Sequence, residues 1–173
     1  AAHRFRDDKK GGHGTVDMPK AIVVSCDTYF ALLANDTDID DTWRFMSSLG
    51  FGRPTGIDIE GEVSGVMPSR EWKRQRFSAA QYREEHRKWY LGDSISAGIG
   101  QGYNTFTPIQ QAHAIATIAT DGVAFRPHLV KSVRDVRTGV VREIAPQPTH
   151  TVPIKPEHLA FVKNALIGVP KEI

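Results

Sequence analysis

Cysteine is almost missing from this sequence: Cys26 is the only one among 173 residues. An internal disulfide is therefore excluded, which suits a reducing compartment or an exported protein that does without such bonds. Long apolar runs are missing as well. No stretch approaches the ~18 consecutive apolar residues of a membrane-spanning helix. Charge of one sign is scarce, since the formal net charge is only +2, too small to argue for a nucleic-acid partner. The first residues, Ala1 to Asp8, carry neither an initiator Met nor the apolar h-region of a signal peptide, and read as the start of an excised piece. Internal repeats and alternating βαβ patterns are absent too. What is present is core material: 40% hydrophobic residues, with eight Phe and three Trp, support a folded domain or part of one.

Along the chain, Ala1 to Gly14 reads as a loop ending in Gly11-Gly12-His13-Gly14. Thr15 to Val24 reads as a short helix, with Asp17 and Pro19 in its first turn. Thr28 to Asn35 reads as a second helix burying Tyr29, Phe30, Leu32 and Leu33. A third helix spans Asp38 to Leu49, with Trp43, Met46 and Leu49 on one side and Gly50 as its stop. Phe51 to Val66 is glycine-rich and loop-like, with a short strand expected at Ile57 and Ile59. Ser69 caps a helix that runs to Phe77. Thr107 caps the clearest helix, to Thr120, with Pro108 in first position and Ile109, Ala112, Ala116 and Ala119 along one face. Leu129 to Val136 and Val140 to Ile144 form a hairpin through Gly139. Pro146, Pro148 and Pro153 keep the following connection extended, and Pro156 to Ile167 is a last helix. The expected fold class is mainly α with a small β-hairpin (α+β).

Two stretches invite stronger readings and do not hold them. Arg70 to Lys88 carries seven Lys or Arg against three Glu, but the acids interleave with the bases, so it reads as a solvated helix and loop with Trp72, Phe77 and Tyr82 turned inward. Gly100-Gln101-Gly102 lacks the following Lys-Ser or Lys-Thr of a phosphate loop. His86, His113, His128, His150 and His158 are scattered and read as structural.

Ser25-Cys26-Asp27 is the stretch with chemistry in it. The apolar run Ala21 to Val24 stops there, and Thr28-Tyr29-Phe30 begins the next. Ser and Asp are good helix N-caps, so the plain reading is a cap. The sharper reading is a Ser-x-Asp catalytic element.

The second reading gains from the rest of the chain. Ser25-Cys26-Asp27-Thr28 resembles the second active-site motif of the penicillin-binding transpeptidases. Gly52-x-Pro54-Thr55-Gly56-Ile57-Asp58, Met67-Pro68-Ser69-Arg70-Glu71-Trp72-Lys73 and Gly98-Ile99-Gly100-Gln101-Gly102-Tyr103 follow in the family's order. So do Thr107-Pro108-Ile109-Gln110 and Asn164-Ala165-Leu166-x-Gly168-Val169. Together they resemble the class B penicillin-binding proteins, and within them the penicillin-binding protein 2 branch, which serves side-wall elongation in Gram-negative bacteria. The family's Ser-x-x-Lys and Lys-Ser/Thr-Gly motifs occur nowhere in the sequence. The resemblance therefore implies that residues 1–173 are the central part of one transpeptidase domain, a helical subdomain of a penicillin-binding/β-lactamase-like fold without its two ends.

It implies a peptidoglycan D,D-transpeptidase that acylates a serine on a D-Ala-D-Ala stem peptide and passes the acyl group to a neighbouring amine. Ser25 would be a proton relay and Asp27, where the family commonly has Asn, would orient a lysine. β-Lactams would bind the same groove. The expected partners are peptidoglycan stem peptides and a SEDS-family glycan polymerase, with the membrane reached only through an upstream helix, at the periplasmic face of the inner membrane. The competing reading is a non-catalytic module of the same fold, used for ligand sensing or as a scaffold. The chemistry requires no cofactor.

Asp7, His13 and Cys26 offer the O, N and S donors that zinc accepts. Their spacing, six and then thirteen, matches no zinc-finger pattern, and alone it reads as an exposed Asp, a loop His and a buried thiol. The resemblance implies a structural zinc beside the second motif, with a fourth ligand from an upstream segment or from Asp8 or His3.

An unactivated serine is a poor nucleophile. Residues 1–173 alone are expected to form no covalent adduct with excess benzylpenicillin by intact-mass spectrometry, and a stoichiometric adduct would contradict that.

Overall fold

A computed structural model of the chain describes residues 5–171. After a turn-rich opening come α1 (Met18–Val23), α2 (Asp27–Asp36) and α3 (Ile39–Ser48), then a long loop, α4 (Arg70–Arg76), α5 (Leu91–Gly98) and α6 (Pro108–Ala119). The rest is β1 (Val123–Phe125), β2 (Ser132–Arg134), β3 (Val141–Glu143), β4 (Pro148–Thr151) and α7 (Pro156–Gly168). The expected class, mainly α with a β-hairpin, is what forms.

Helix starts follow local chemistry. Asp17 accepts from the Lys20 N–H at 3.0 Å, Asp38 from Asp40 at 2.8 Å and Ser69 from Trp72 at 3.0 Å. Thr107 and Gln110 form a reciprocal capping box, with Gln110 Oε1 taking the Thr107 N–H at 2.9 Å.

Leu49, Phe51, Met67, Ala114 and Val152 make the core, flanked by Met46, Phe106, Ile118 and Ile154. The long loop is drawn onto this core by a polar residue. Gln110 is fully buried, and its Nε2 donates to the carbonyls of Arg53 and Ser64, each at 2.7 Å. Around the core, α2 packs on α5 and α1 on α7. Gly98 permits the first contact, because a Cβ there would collide with Ala34 of α2. His113 and His150 are structural, as expected: their Nε2 atoms meet the carbonyls of Phe125 (3.1 Å) and Ser48 (2.8 Å).

Several expectations are corrected. No strand forms at Ile57 and Ile59, because carboxylates serve the loop's neighbours: Glu62 accepts from Thr55 and Gly56, and Asp58 from Leu129. Leu32 and Leu33 are exposed, and Ala31 is the buried residue of α2, since close helix approach favours a small side chain. On α6 the buried residues are Gln110, Ala114 and Thr117, whereas Ala112, Ala116 and Ala119 are exposed. A polar residue whose hydrogen bonds are all made inside defines that face. A second antiparallel pair, β1 with β4, joins segments that no turn links, beside the expected hairpin of β2 and β3.

Arg70 joins α4 to the start of α3, its guanidinium lying 2.8 Å from Asp38 and 2.6 Å from Asp40. The hydrogen bond from Arg70, followed by the Asp40 N–H, lowers the Asp38 carboxyl to about 2. A lowered acid stabilises the fold above its unfolded pKa, about 4, and that contribution is lost as pH falls through the folded value. Asp38→Asn keeps an acceptor at the cap but no charge. The unfolding free-energy difference between wild type and Asp38→Asn should be constant above about pH 5 and shrink steadily in acid. Urea titrations across pH measure it, and a gap independent of pH would count against the ion pair.

Candidate functional site

Residues 20–28 hold the end of α1, a three-residue link at 24–26 and the start of α2. The last turn of α1 closes in a Schellman arrangement: the Ser25 N–H reaches Ile22 O at 3.4 Å and the Cys26 N–H reaches Ala21 O at 2.9 Å. Ser25 is therefore the residue in left-handed conformation, φ 53°, where glycine is usual. Its side chain is exposed, Cys26 is 2% exposed, and Asp27 is half-buried as the first residue of α2. Neither Ser25 nor Asp27 is the N-cap of α2. Cys26 holds that position and makes no cap bond of its own.

The cap is supplied from a distance. Asp7 Oδ2 takes the Cys26 Sγ–H at 3.1 Å, the Thr28 hydroxyl at 3.1 Å and the Thr28 N–H at 3.4 Å. Its other oxygen lies 2.9 Å from His13 Nδ1, and the Asp7 side chain is 2% exposed. The exposed Asp expected from spacing is thus buried. Burial works to raise the Asp7 carboxyl. The hydrogen bonds from Cys26, Thr28 and the Lys9 backbone outweigh it and hold the group well below the usual carboxylate range. The positive end of α2 acts in the same sense.

Asp7, His13 and Cys26 come together: one ligand atom from each lies within 4.8 Å of the others. His13 Nδ1 is buried and makes no hydrogen bond, Asp7 lying outside hydrogen-bonding geometry despite its nearness. A ring nitrogen, a carboxylate and a thiol converging this way suit a zinc ion. Asp8 accepts the Lys9 N–H at 2.7 Å and is not among the converging ligand atoms, and His3 lies outside the described residues. Thr28 was legible only as a helix start, although its hydroxyl also lies 3.3 Å from Cys26 Sγ. Among the described residues Asp27 makes no ion pair, and a cleft of about 510 Å³ between α3 and α4 has neither Ser25 nor Asp27 in its walls.

Residues 2–172 match the family described as the penicillin binding protein transpeptidase domain. The chain is similar to peptidoglycan D,D-transpeptidase MrdA of Acinetobacter baumannii, 43% identical over 141 residues, which are 82% of this chain and 20% of that protein. It spans about a fifth of the length of the curated relatives it matches. Its fold is similar to that of Pseudomonas aeruginosa PBP2 in complex with WCK 5153: TM-score 0.77, 35% identity, 96% of this chain and 35% of the other. It is also similar to Helicobacter pylori PBP2 in its complex with MreC: TM-score 0.75, 28% identity, 97% and 28% covered.

The left-handed serine is strained, and a glycine would not be. Ser25→Gly should raise stability by about 1 kcal/mol in denaturant titration, while Ser25→Ala should leave it nearly unchanged. A destabilised Ser25→Gly would refute the strain.

Proposed function

The chain belongs to the penicillin-binding protein transpeptidase domain family, and on that premise we propose that it is the central part of a peptidoglycan D,D-transpeptidase domain. The observation that supports this best is the split among three neighbours: Ser25 turned out to solvent in a strained turn, Cys26 buried, Asp27 half-buried at the helix start. Strain held at one residue is a common mark of a functional site. In this reading a nucleophilic serine, activated by its lysine, attacks the D-Ala-D-Ala carbonyl and expels the terminal D-Ala. Those two residues come from a Ser-x-x-Lys segment of the complete protein. The Ser25 hydroxyl passes a proton between nucleophile and leaving amine. Asp27, a carboxylate that accepts and cannot donate, orients the lysine. β-Lactams acylate the same serine. The partners are stem peptides, a SEDS-family glycan polymerase and, by similarity to the Helicobacter pylori complex, an MreC-like protein. The place of action is the periplasmic face of the inner membrane. Among the described residues no helix is long and apolar enough to cross a membrane.

Zinc fits beside this motif. Asp7, His13 and Cys26 would hold it, with Thr28 fixing the orientation of two of them. A bound ion supplies structure, tying the glycine loop to the start of α2, and the acyl transfer needs none.

Two experiments on the complete protein test these assignments. Ser25→Ala should fold normally and be acylated by penicillin roughly 10²–10⁴-fold more slowly, whereas Cys26→Ser should lower the melting temperature and affect acylation only through folding. Normal acylation of Ser25→Ala would remove the relay. For zinc, Cys26 should alkylate slowly until a chelator is added. Equal rates with no zinc by elemental analysis would exclude the ion.

A further inference from the structure

We propose that Lys73 is a positioning residue for the transpeptidase reaction: its ion pair with Asp93 sets the register of α5 against α2, and so the presentation of Ser25 and Asp27. This rests on the roles assigned to those two residues above. Lys73 is a lysine with only 3% of its surface exposed. Its ammonium lies 2.5 Å from Asp93 Oδ2 and faces the rings of Tyr90, Tyr103 and Trp89 at 5.1, 5.3 and 5.7 Å. The same Asp93 oxygen takes the Tyr90 N–H at 2.8 Å, at the start of α5.

A buried ion pair is a poor way to gain stability, since apolar residues of similar volume often do as well. What it adds is direction. One ammonium among three rings and one carboxylate aligns α4, the start of α5 and the Tyr103 loop in a single arrangement. α5 carries that alignment to its other end. Trp89 Nε1 donates to Ser94 Oγ at 2.8 Å, Asn104 Nδ2 to Ala97 O at 2.8 Å, and Gly98 abuts Ala34 and the Phe30 carbonyl of α2 with no room for a Cβ. A contact that close tolerates little sliding. A shift of α5 must therefore move α2, whose first residue is Asp27.

The test is benzylpenicillin acylation of the complete transpeptidase, separating the maximal rate from half-saturation, with melting temperature measured alongside. Lys73→Met leaves Asp93 buried and unpaired, whereas the double variant Lys73→Met with Asp93→Asn removes both charges and keeps the acceptor for Tyr90. The double variant should recover most of the melting temperature lost in Lys73→Met. Its maximal acylation rate should stay down by roughly tenfold or more at unchanged half-saturation. A purely structural pair predicts that rate and melting temperature recover together, and that result overturns the proposal. Should the double variant not fold, Lys73→Arg, which keeps a positive charge beside Asp93, is compared instead: a lowered maximal rate at the wild-type melting temperature supports the proposal, and a rate that only follows the melting temperature overturns it. A wild-type protein that takes no penicillin overturns the transpeptidase reading, and this proposal with it. A variant at the wild-type rate overturns only the role of Lys73.

Discussion

The buried carboxylate of Asp7 is the constraint on which the rest of the site depends. A carboxylate out of water must be met by donors or by a cation. Here the thiol of Cys26 and the hydroxyl and N–H of Thr28 converge on one of its oxygens, with His13 at the other. Those contacts pin a loop containing Gly11, Gly12 and Gly14, which has little structure of its own, to the start of α2. They supply the cap that Cys26 cannot make. They also pull Cys26 inward, and inward for Cys26 means outward for Ser25.

That last consequence is backbone geometry. α1 ends and α2 begins within three residues, so one of them must take a left-handed conformation to turn the chain. Ser25 takes it, at φ 53°. A glycine would make the same turn without strain but has no hydroxyl to present. The pairing of a strained turn with an exposed hydroxyl is intelligible if the hydroxyl is needed in that place.

The surrounding scaffold is organised by polar residues as much as by its core. Gln110 gathers a loop that has no regular structure, by meeting two carbonyls. Lys73 gathers three aromatic rings around one ion pair. Both are directional where apolar contact is not, so they set register between segments far apart in sequence. Gly98 works alongside them by letting α5 approach the backbone of α2.

What the sequence determined by itself was local. Ser69 and Thr107 start their helices because cap chemistry acts within three residues, and Gly139 turns its hairpin for the same reason. The ordered motifs around Ser25-Cys26-Asp27 were readable too, as were the donor types of Asp7, His13 and Cys26. Only the tertiary structure decided that these three donors meet and that Asp7 caps α2. It likewise decided which face of α6 is buried and that β1 pairs with β4 across the whole connection between them. Such outcomes depend on partners distant in the chain. Glutamine and lysine read as surface residues by type, and only the packed structure shows Gln110 and Lys73 enclosed, with donors and acceptors matched by groups that no periodicity brings together.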